Sequence, residues 1–364
     1  MSELIPKLDK FSNIFEKFDS QYDIHFCTLN EIDDVVLFLD SYWKKGHVFV
    51  KSRKLLDWQH LDKNNNRYNF VVARDKKSSE IHALMGFIPT NFFDPSIQKV
   101  LVWGAIWKTR EDVAPVGLGI YLCQFLTNRI KFDTWVGFGI SEDSKKNNKL
   151  MGLKICTADQ YFYANPNIKE FKIASGLESF RNPKAENMEG YTLTELSIDD
   201  YRLLSGNEEC FNCVYPYKTK LYYLNRFFLH PYYKYRCYAI QHQNTIRAFF
   251  FVRESPAEEA NCLRLVEYVG DYSYLQAVKF SISDLLVRGN YEYIDIVTSN
   301  VDDEILRKAG FINKITDSNI IIPNYFEPFL RKNVQMEYSY ISLSPTFNPI
   351  INKGDSDQDR PSVL

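Results

Sequence analysis

The chain has 364 residues, 45% of them apolar and 25% charged, with a formal net charge of −2. That length suffices for two domains with a core each, and the near-neutral balance sets nucleic acid and anionic membrane surfaces aside as main partners. The first residues, MSELIPKLDKFSNIFEKF, mix acids with lysines and hold no apolar signal-peptide core; no window approaches the ~18 apolar residues of a membrane span. Seven scattered cysteines read as reduced thiols in a cytoplasm. Cys210 and Cys213 have CxxC spacing, but no second such pair or His pair completes a zinc site, and no metal is expected.

In chain order, Thr28 and Glu31 have capping-box spacing ahead of IDDVVLFLDSYW, which predicts a helix near 30–43. SRKLLDWQH fits a second, short helix. YNFVVARD and EIHALMGFI flank DKKSS as two strands, and QKVLVWGAIWK, residues 98–108, continues as a third, buried one. APVGLG then opens a helix to about Lys131, followed by the strand TWVGFGIS and a short helix over EDSKKNNKLM. This order describes a mixed α/β layer structure.

The second half repeats it. TKLYYLNRFFL reads as a helix, YKYRCYAIQH, TIRAFFFVRE and CLRLVEYVGD as three strands, SYLQAVKFSISDLLVRG as a helix, YEYIDIVTS as a strand and VDDEILRKAGF as a closing helix. Two copies of one fold are therefore expected, over 1–200 and 201–345, with a tail over 346–364. The segment from 160 to 205 reads as their connection, with the strand GYTLTELS closing the first domain.

A strand that runs into a glycine-bearing turn and a helix presents backbone N–H groups at the positive end of the helix dipole, which is a site for phosphate. Val116, Gly117, Leu118, Gly119 and Ile120 form that turn: the glycines admit close approach, and Leu118 and Ile120 are expected to contribute N–H groups while anchoring the helix. A tight turn without a ligand explains the same glycines, since one GxG is weak evidence. The position after a third strand excludes a Rossmann fingerprint, and no GKS or GKT follows as in a P-loop.

APVGLGIYLCQFL after a buried strand, with a strand, a helix and LMGL behind it, resembles the GNAT acyltransferase family. The resemblance implies two tandem GNAT-like domains, the first binding acyl-CoA through its pyrophosphate at the glycine loop. The family's Arg or Gln falls here on Ala114, while Gly117 and Gly119 match. The tandem repeat, WKTRED and the tail KGDSDQDRP together resemble the two-domain N-acyltransferases of bacterial surface-polysaccharide and O-antigen pathways, of the anthrose-pathway type. The acceptor implied is the amine of a nucleotide-linked, dTDP-type amino sugar.

For the chemistry, the resemblance places a carbonyl-polarising N–H within Val102, Trp103, Gly104 and Ala105. It sets Asn148 where the family keeps a proton-donating tyrosine, so Ser144 or a water would take that part. Asp94, before Pro95, is the candidate for orienting or deprotonating the amine, with an Asx turn as the alternative. His47 and His82 are weaker candidates, a base and an acceptor contact. Trp58 or Tyr222 could stack on a nucleotide base, and Asp359 and Arg360 of the tail could reach the acceptor. In the second copy, YVGDYSYLQAV has one glycine followed by Asp271, whose carboxylate would repel phosphate, so that half is expected to shape the acceptor cleft instead. Direct attack in a ternary complex is expected, because no Cys or Ser lies in a nucleophile motif. A peptide-amine acyltransferase and a non-catalytic ligand sensor are the alternatives. The acyl group, the sugar and a homo-oligomeric state stay open.

Overall fold

Thr28 and Glu31 meet as their spacing predicts: the Glu31 carboxylate accepts from the Thr28 backbone N–H at 3.0 Å and from its Oγ1 at 2.7 Å, and the chain turns there into a helix. The computed structural model describes residues 12–178, 186–205, 209–324, 326, 329–343 and 348–356. The first half contains α1 (Ser12–Gln21), β1 (Tyr22–Thr28), α2 (Ile32–Phe38, continued by a wider turn over Leu39–Trp43), α3 (Val48–Lys51), α4 (Arg53–His60) and β2 (Leu61–Asp62). It goes on through β3 (Arg67–Asp75), β4 (Ile81–Pro89), β5 (Leu101–Thr109), α5 (Leu118–Thr127), β6 (Thr134–Phe138), α6 (Glu142–Leu150) and β7 (Lys154–Ala164). The second half contains β8 (Tyr191–Leu196), α7 (Ile198–Leu203), α8 (Lys220–Tyr223), β9 (Arg236–His242), β10 (Thr245–Ala257) and β11 (Ala260–Gly270). Then come α9 (Lys279–Arg288), β12 (Tyr293–Thr298), α10 (Asp303–Lys308), β13 (Ile312–Asn313) and β14 (Met336–Ser342). Every strand and helix of the two predicted series is present; α1, β1, α3, β2, β7, α7, β13 and β14 were not anticipated.

The chain divides into two units. The first is built from the described residues up to Cys156 together with 337–343, the second from Thr157 to Met336 together with 348–356. This differs from a division at residue 200. β8, expected to close the first domain, pairs antiparallel with β9 from Tyr191↔His242 to Leu196↔Cys237 and belongs to the second unit. The strand that does close the first sheet is β14, antiparallel to β6.

In the first unit the strands lie in the order β1-β3-β4-β5-β6-β14, with a single parallel pair, β5 and β6, among the described residues. Both faces are covered, so β3 and β4 are buried along nearly their whole length, with apolar runs over 70–73 and 83–88, as a sheet covered on two sides requires. On one face Phe15 and Phe18 of α1 and Leu118 and Leu122 of α5 pack on Val71, Met85, Phe87 and Val102. On the other, the His60 ring of α4 stacks on Phe70 at 4.3 Å.

The second unit repeats the plan with the order β7-β12-β11-β10-β9-β8 and again one parallel pair, β11 and β12. Its core joins Ile240, Phe250 and Leu265 of the sheet to Ile282 and Leu286 of α9. The sheet also carries a buried polar network: Arg264 pairs with Asp295 at 2.7 Å, Gln160 Nε2 donates to Asp295 at 2.6 Å, and Lys314 Nζ donates to Gln160 Oε1 at 2.7 Å. No helix among the described residues is long and apolar enough to cross a membrane.

Candidate active site

β5 and β6 run side by side for only four pairs, Leu101↔Thr134 to Gly104↔Gly137. Beyond Gly104, β5 continues to Thr109 held by β4 alone, through Met85↔Trp107, Leu84↔Lys108 and Ala83↔Thr109. Among the described residues no strand pairs with Ala105–Thr109 on the other edge, which leaves a strip of backbone donors and acceptors open to a ligand. A bulge lies at the start of this strip: Gly86 alone stands opposite Ala105 and Ile106, and such an irregularity takes a backbone group out of the ladder and re-aims it. Val102, Trp103 and Gly104 all lie within the paired part, the first two buried, so the open backbone begins only at Ala105.

The strip leads into the glycine turn. Arg110 fixes its entry, pairing with Glu80 at 2.7 Å and Asp112 at 2.8 Å and lying over the Tyr42 ring at 4.4 Å. Gly117 is the residue before α5 and has φ +96°, a left-handed conformation that favours glycine. The Leu118 N–H, expected among the donors to an anion, is instead taken up by the Pro115 carbonyl at 3.2 Å, which closes the turn. The N–H groups of Gly119 and Ile120 lie in the first helical turn, where no backbone carbonyl of the described residues accepts from them. Val116, at the tip, is 98% exposed. The turn has the geometry for an anion, but Gly119 has a second reason to be glycine: a Cβ there would stand 2.9 Å from Trp107 Nε1 and 3.0 Å from Thr109 Oγ1. Close packing of helix on strand demands it whether or not a ligand binds.

At the inner end of the opening, Gly104, Gly137 and Ser339 stand in one row across β5, β6 and β14. Asn148 of α6 is buried and donates from Nδ2 to Ser339 Oγ at 2.9 Å. Ser339 is a site residue that sequence reasoning missed, because its strand is contributed from late in the chain. Ser144 lies in the first turn of α6, where its N–H donates to Ser141 Oγ at 3.2 Å and the two hydroxyls are 3.0 Å apart.

The remaining predicted residues lie elsewhere. Asp94 is buried, and its Oδ1 accepts from the Ser96 N–H at 2.9 Å, the Asx turn that was its alternative reading. His47 caps α3, its Nδ1 accepting from the Phe49 N–H at 3.3 Å. His82 is buried on β4, 3.1 Å from the Tyr22 hydroxyl. Trp58 is half-buried against Phe93, with ring centroids 5.4 Å apart. Tyr222 corrects an expectation: it is 1% exposed in the second unit, edge-on to Tyr223, and has no open face for a base. Asp359 and Arg360 lie outside the described residues. No cluster of metal-ligating side chains occurs among the described residues; Cys213 Sγ donates to the Glu209 carbonyl.

No protein-family description and no curated protein matches the sequence. Solved structures do. A GCN5-related N-acetyltransferase from Anabaena variabilis matches over 88% of this chain and 72% of its own, with a TM-score of 0.54 at 10% identity. Another, from Kribbella flavida, matches over 88% and 71% with a TM-score of 0.52, also at 10% identity. The chain has the GCN5-related N-acetyltransferase fold. The expected α/β class, with mixed sheets in two units of this GNAT type, is thereby met. At such identity the likeness concerns the fold, and what this GNAT-fold chain can bind has to come from its own opening and turn.

Proposed function

We propose that this protein is an acyl-coenzyme A-dependent N-acyltransferase, acting on the amine of a nucleotide-linked amino sugar, dTDP-linked in the first instance. The observation that carries the reading is the free edge of β5 from Ala105 to Thr109, which runs directly into an unfilled helix N-terminus behind Gly117. A long ligand with amides along its arm and a diphosphate at one end matches that sequence of groups: strand-edge hydrogen bonds first, N–H donors of Gly119 and Ile120 last. The fold neighbours, named as N-acetyltransferases, support the reaction class. Seven free cysteines support a cytoplasmic site of action.

The thioester supplies the activated acyl group, and the residues of the opening do the rest. Backbone N–H at the bulge is placed to bond the oxyanion that forms when the amine nitrogen attacks the acyl carbon. The C–N bond forms, the C–S bond breaks, and the proton lost by the amine ends on the departing sulfur. Asn148 cannot supply that proton, because an amide N–H is not acidic; Ser144 or a bound water relays it. Holding both reactants in one geometry accounts for most of the acceleration.

The test uses Val116→Glu, which places a carboxylate at the turn on a fully exposed side chain and leaves packing untouched. Calorimetry with coenzyme A should show binding to the wild type and at least about tenfold weaker binding to the variant, with unchanged thermal unfolding. Thiol release from acetyl-coenzyme A should then appear with dTDP-amino sugars and not with peptide amines. Wild-type protein that is folded and binds no coenzyme A overturns the reading; release with peptides alone moves the acceptor class.

A further inference from the structure

The second unit has its own opening beside a parallel pair. β11 and β12 pair only from Leu263↔Ile294 to Leu265↔Ile296, after which β11 continues to Gly270 and β12 to Thr298. Here the gap holds a piece of the chain itself. Asn352 bridges to Thr298, and Ile351 exchanges bonds with Ser299: the Ser299 N–H donates to the Ile351 carbonyl at 3.0 Å, and the Ile351 N–H to Ser299 Oγ at 3.2 Å. On the β11 side, Asn352 Nδ2 donates to Glu267 Oε1 at 2.6 Å, and the Tyr272 hydroxyl donates to Asn352 Oδ1 at 2.7 Å. Two residues on, a Cβ at Gly354 would stand 2.5 Å from the Val266 carbonyl oxygen. The segment therefore touches Val266 and Glu267 on one strand and Thr298 and Ser299 at the end of the other, past the last paired residues of each. Ile351 and Asn352 are 0% and 3% exposed.

The rest of this gap is closed as well. Asp271 follows β11 and turns its own carboxylate onto the next turn, accepting from the Ser273 N–H at 2.8 Å, where the first unit leaves its N–H groups open. Glu267 is neutralised in place by Lys218 at 2.6 Å, both almost wholly buried.

We infer that the chain's own segment Ile350–Gly354 is the resident occupant of the second unit's opening, so that the protein has one acyl-coenzyme A site per chain and the second site is closed by its own C-terminal strap. The occupant is specified by side chains as well as backbone: Asn352 gives a donor to a carboxylate and an acceptor to a phenol, which an apolar or acidic residue would not do. The first unit's free edge and the second unit's filled one are the two states of a single architectural feature, one left for a ligand and one used for stability.

Trypsin tests this on the full chain, because Lys353 lies within the strap itself and cleavage after it cuts the strap between Asn352 and Gly354. Mass spectrometry identifies that cut by the new ends at Lys353 and Gly354. The wild type should resist, whereas Asn352→Asp, which sets a second carboxylate against Glu267, should be cut at least about tenfold faster while keeping a cooperative melt. If that variant does not fold, Gly354→Ala, which displaces the strap from the Val266 carbonyl, takes its place in the comparison. Coenzyme A stoichiometry on the wild type should be one per chain, an arm that rests on the acyltransferase reading. A wild type cut at Lys353 as fast as the variants, or two coenzyme A molecules per chain, overturns the inference. Absence of coenzyme A binding with Lys353 protected overturns the acyltransferase reading and leaves the strap standing.

Discussion

Trp107 Nε1 donates to the Gly119 carbonyl at 3.2 Å, and the same nitrogen would stand 2.9 Å from a Cβ on Gly119. One indole thus bonds the helix and forbids it a side chain. Gly119→Ala should lower stability by about 1–3 kcal/mol, since neither strand nor helix can move freely. Trp107→Phe should cost about 1 kcal/mol for the lost bond, more if packing loosens. Because the two residues touch, the double variant should lose less than the two single losses together, read by urea unfolding of all four proteins. Additive losses would mean that the indole is not what excludes the side chain.

Much of the fold was legible in the sequence for a simple reason: each unit is written in local periods, two along strands such as YNFVVARD and between three and four along helices, and the period recurs in both halves. The glycine turn was legible because a left-handed Gly117 and a first-turn Gly119 leave a local mark. What escaped is what depends on distant partners. MEYSYIS alternates Tyr338 and Tyr340 with Ser339 and reads well as a strand once its neighbour is known, but that neighbour, β6, lies some two hundred residues earlier. Asn148 could be placed on a helix, whereas its bond to Ser339 could not be foreseen. The tail segment 350–354 looks like loop because its order comes from Glu267, Tyr272 and Ser299 rather than from itself.

Glu31 makes the first unit sensitive to acid. Burial opposes its charge, but the Thr28 N–H and hydroxyl and the His25 ring bond the carboxylate and hold its pKa at about 2, and Arg74 lies 3.0 Å away. A depressed carboxylate contributes stability that is complete above its unfolded value near 4.5 and is lost as pH falls toward 2. The expected loss through this one group is of order 2 kcal/mol. Glu31→Gln should be less stable at pH 7 and should show a flatter profile between pH 4.5 and 2 than the wild type. Parallel profiles in thermal unfolding would remove Glu31 from the account.

Lys314 acts in the opposite range. Burial lowers its pKa to about 8, with Arg264 assisting and Asp295 opposing. The unfolded chain binds that proton more tightly, so between pH 8 and 10.5 folding becomes more favourable as pH rises. A neutral amine still has two N–H groups for its partners, Gln160 Oε1 at 2.7 Å and the Val334 carbonyl at 2.9 Å. Lys314→Met carries no such proton, and the stability difference between wild type and variant should shift in favour of the wild type from about pH 7.5 to about 9.5, a range below the tyrosines. A difference independent of pH would show that the ammonium is stabilised where it lies.

Lys218 and Glu267 form an ion pair with 3% and 2% of their side chains exposed, and Asn352 bonds the same carboxylate. Charges so deeply buried are costly to separate: Lys218→Met leaves Glu267 unneutralised and should destabilise by about 3–5 kcal/mol. Replacing both, as Lys218→Met with Glu267→Leu, should restore much of that loss, because apolar partners of similar volume remove the stranded charge. The restored protein should nonetheless be cut at Lys353 more readily than the wild type, since Asn352 has lost its acceptor. Stability and protection of the strap would then separate within one pair of variants, with chemical unfolding reading the first and trypsin the second. If the double replacement recovered both, Glu267 would be serving the core alone, and the strap would be held by Ser299 and Tyr272.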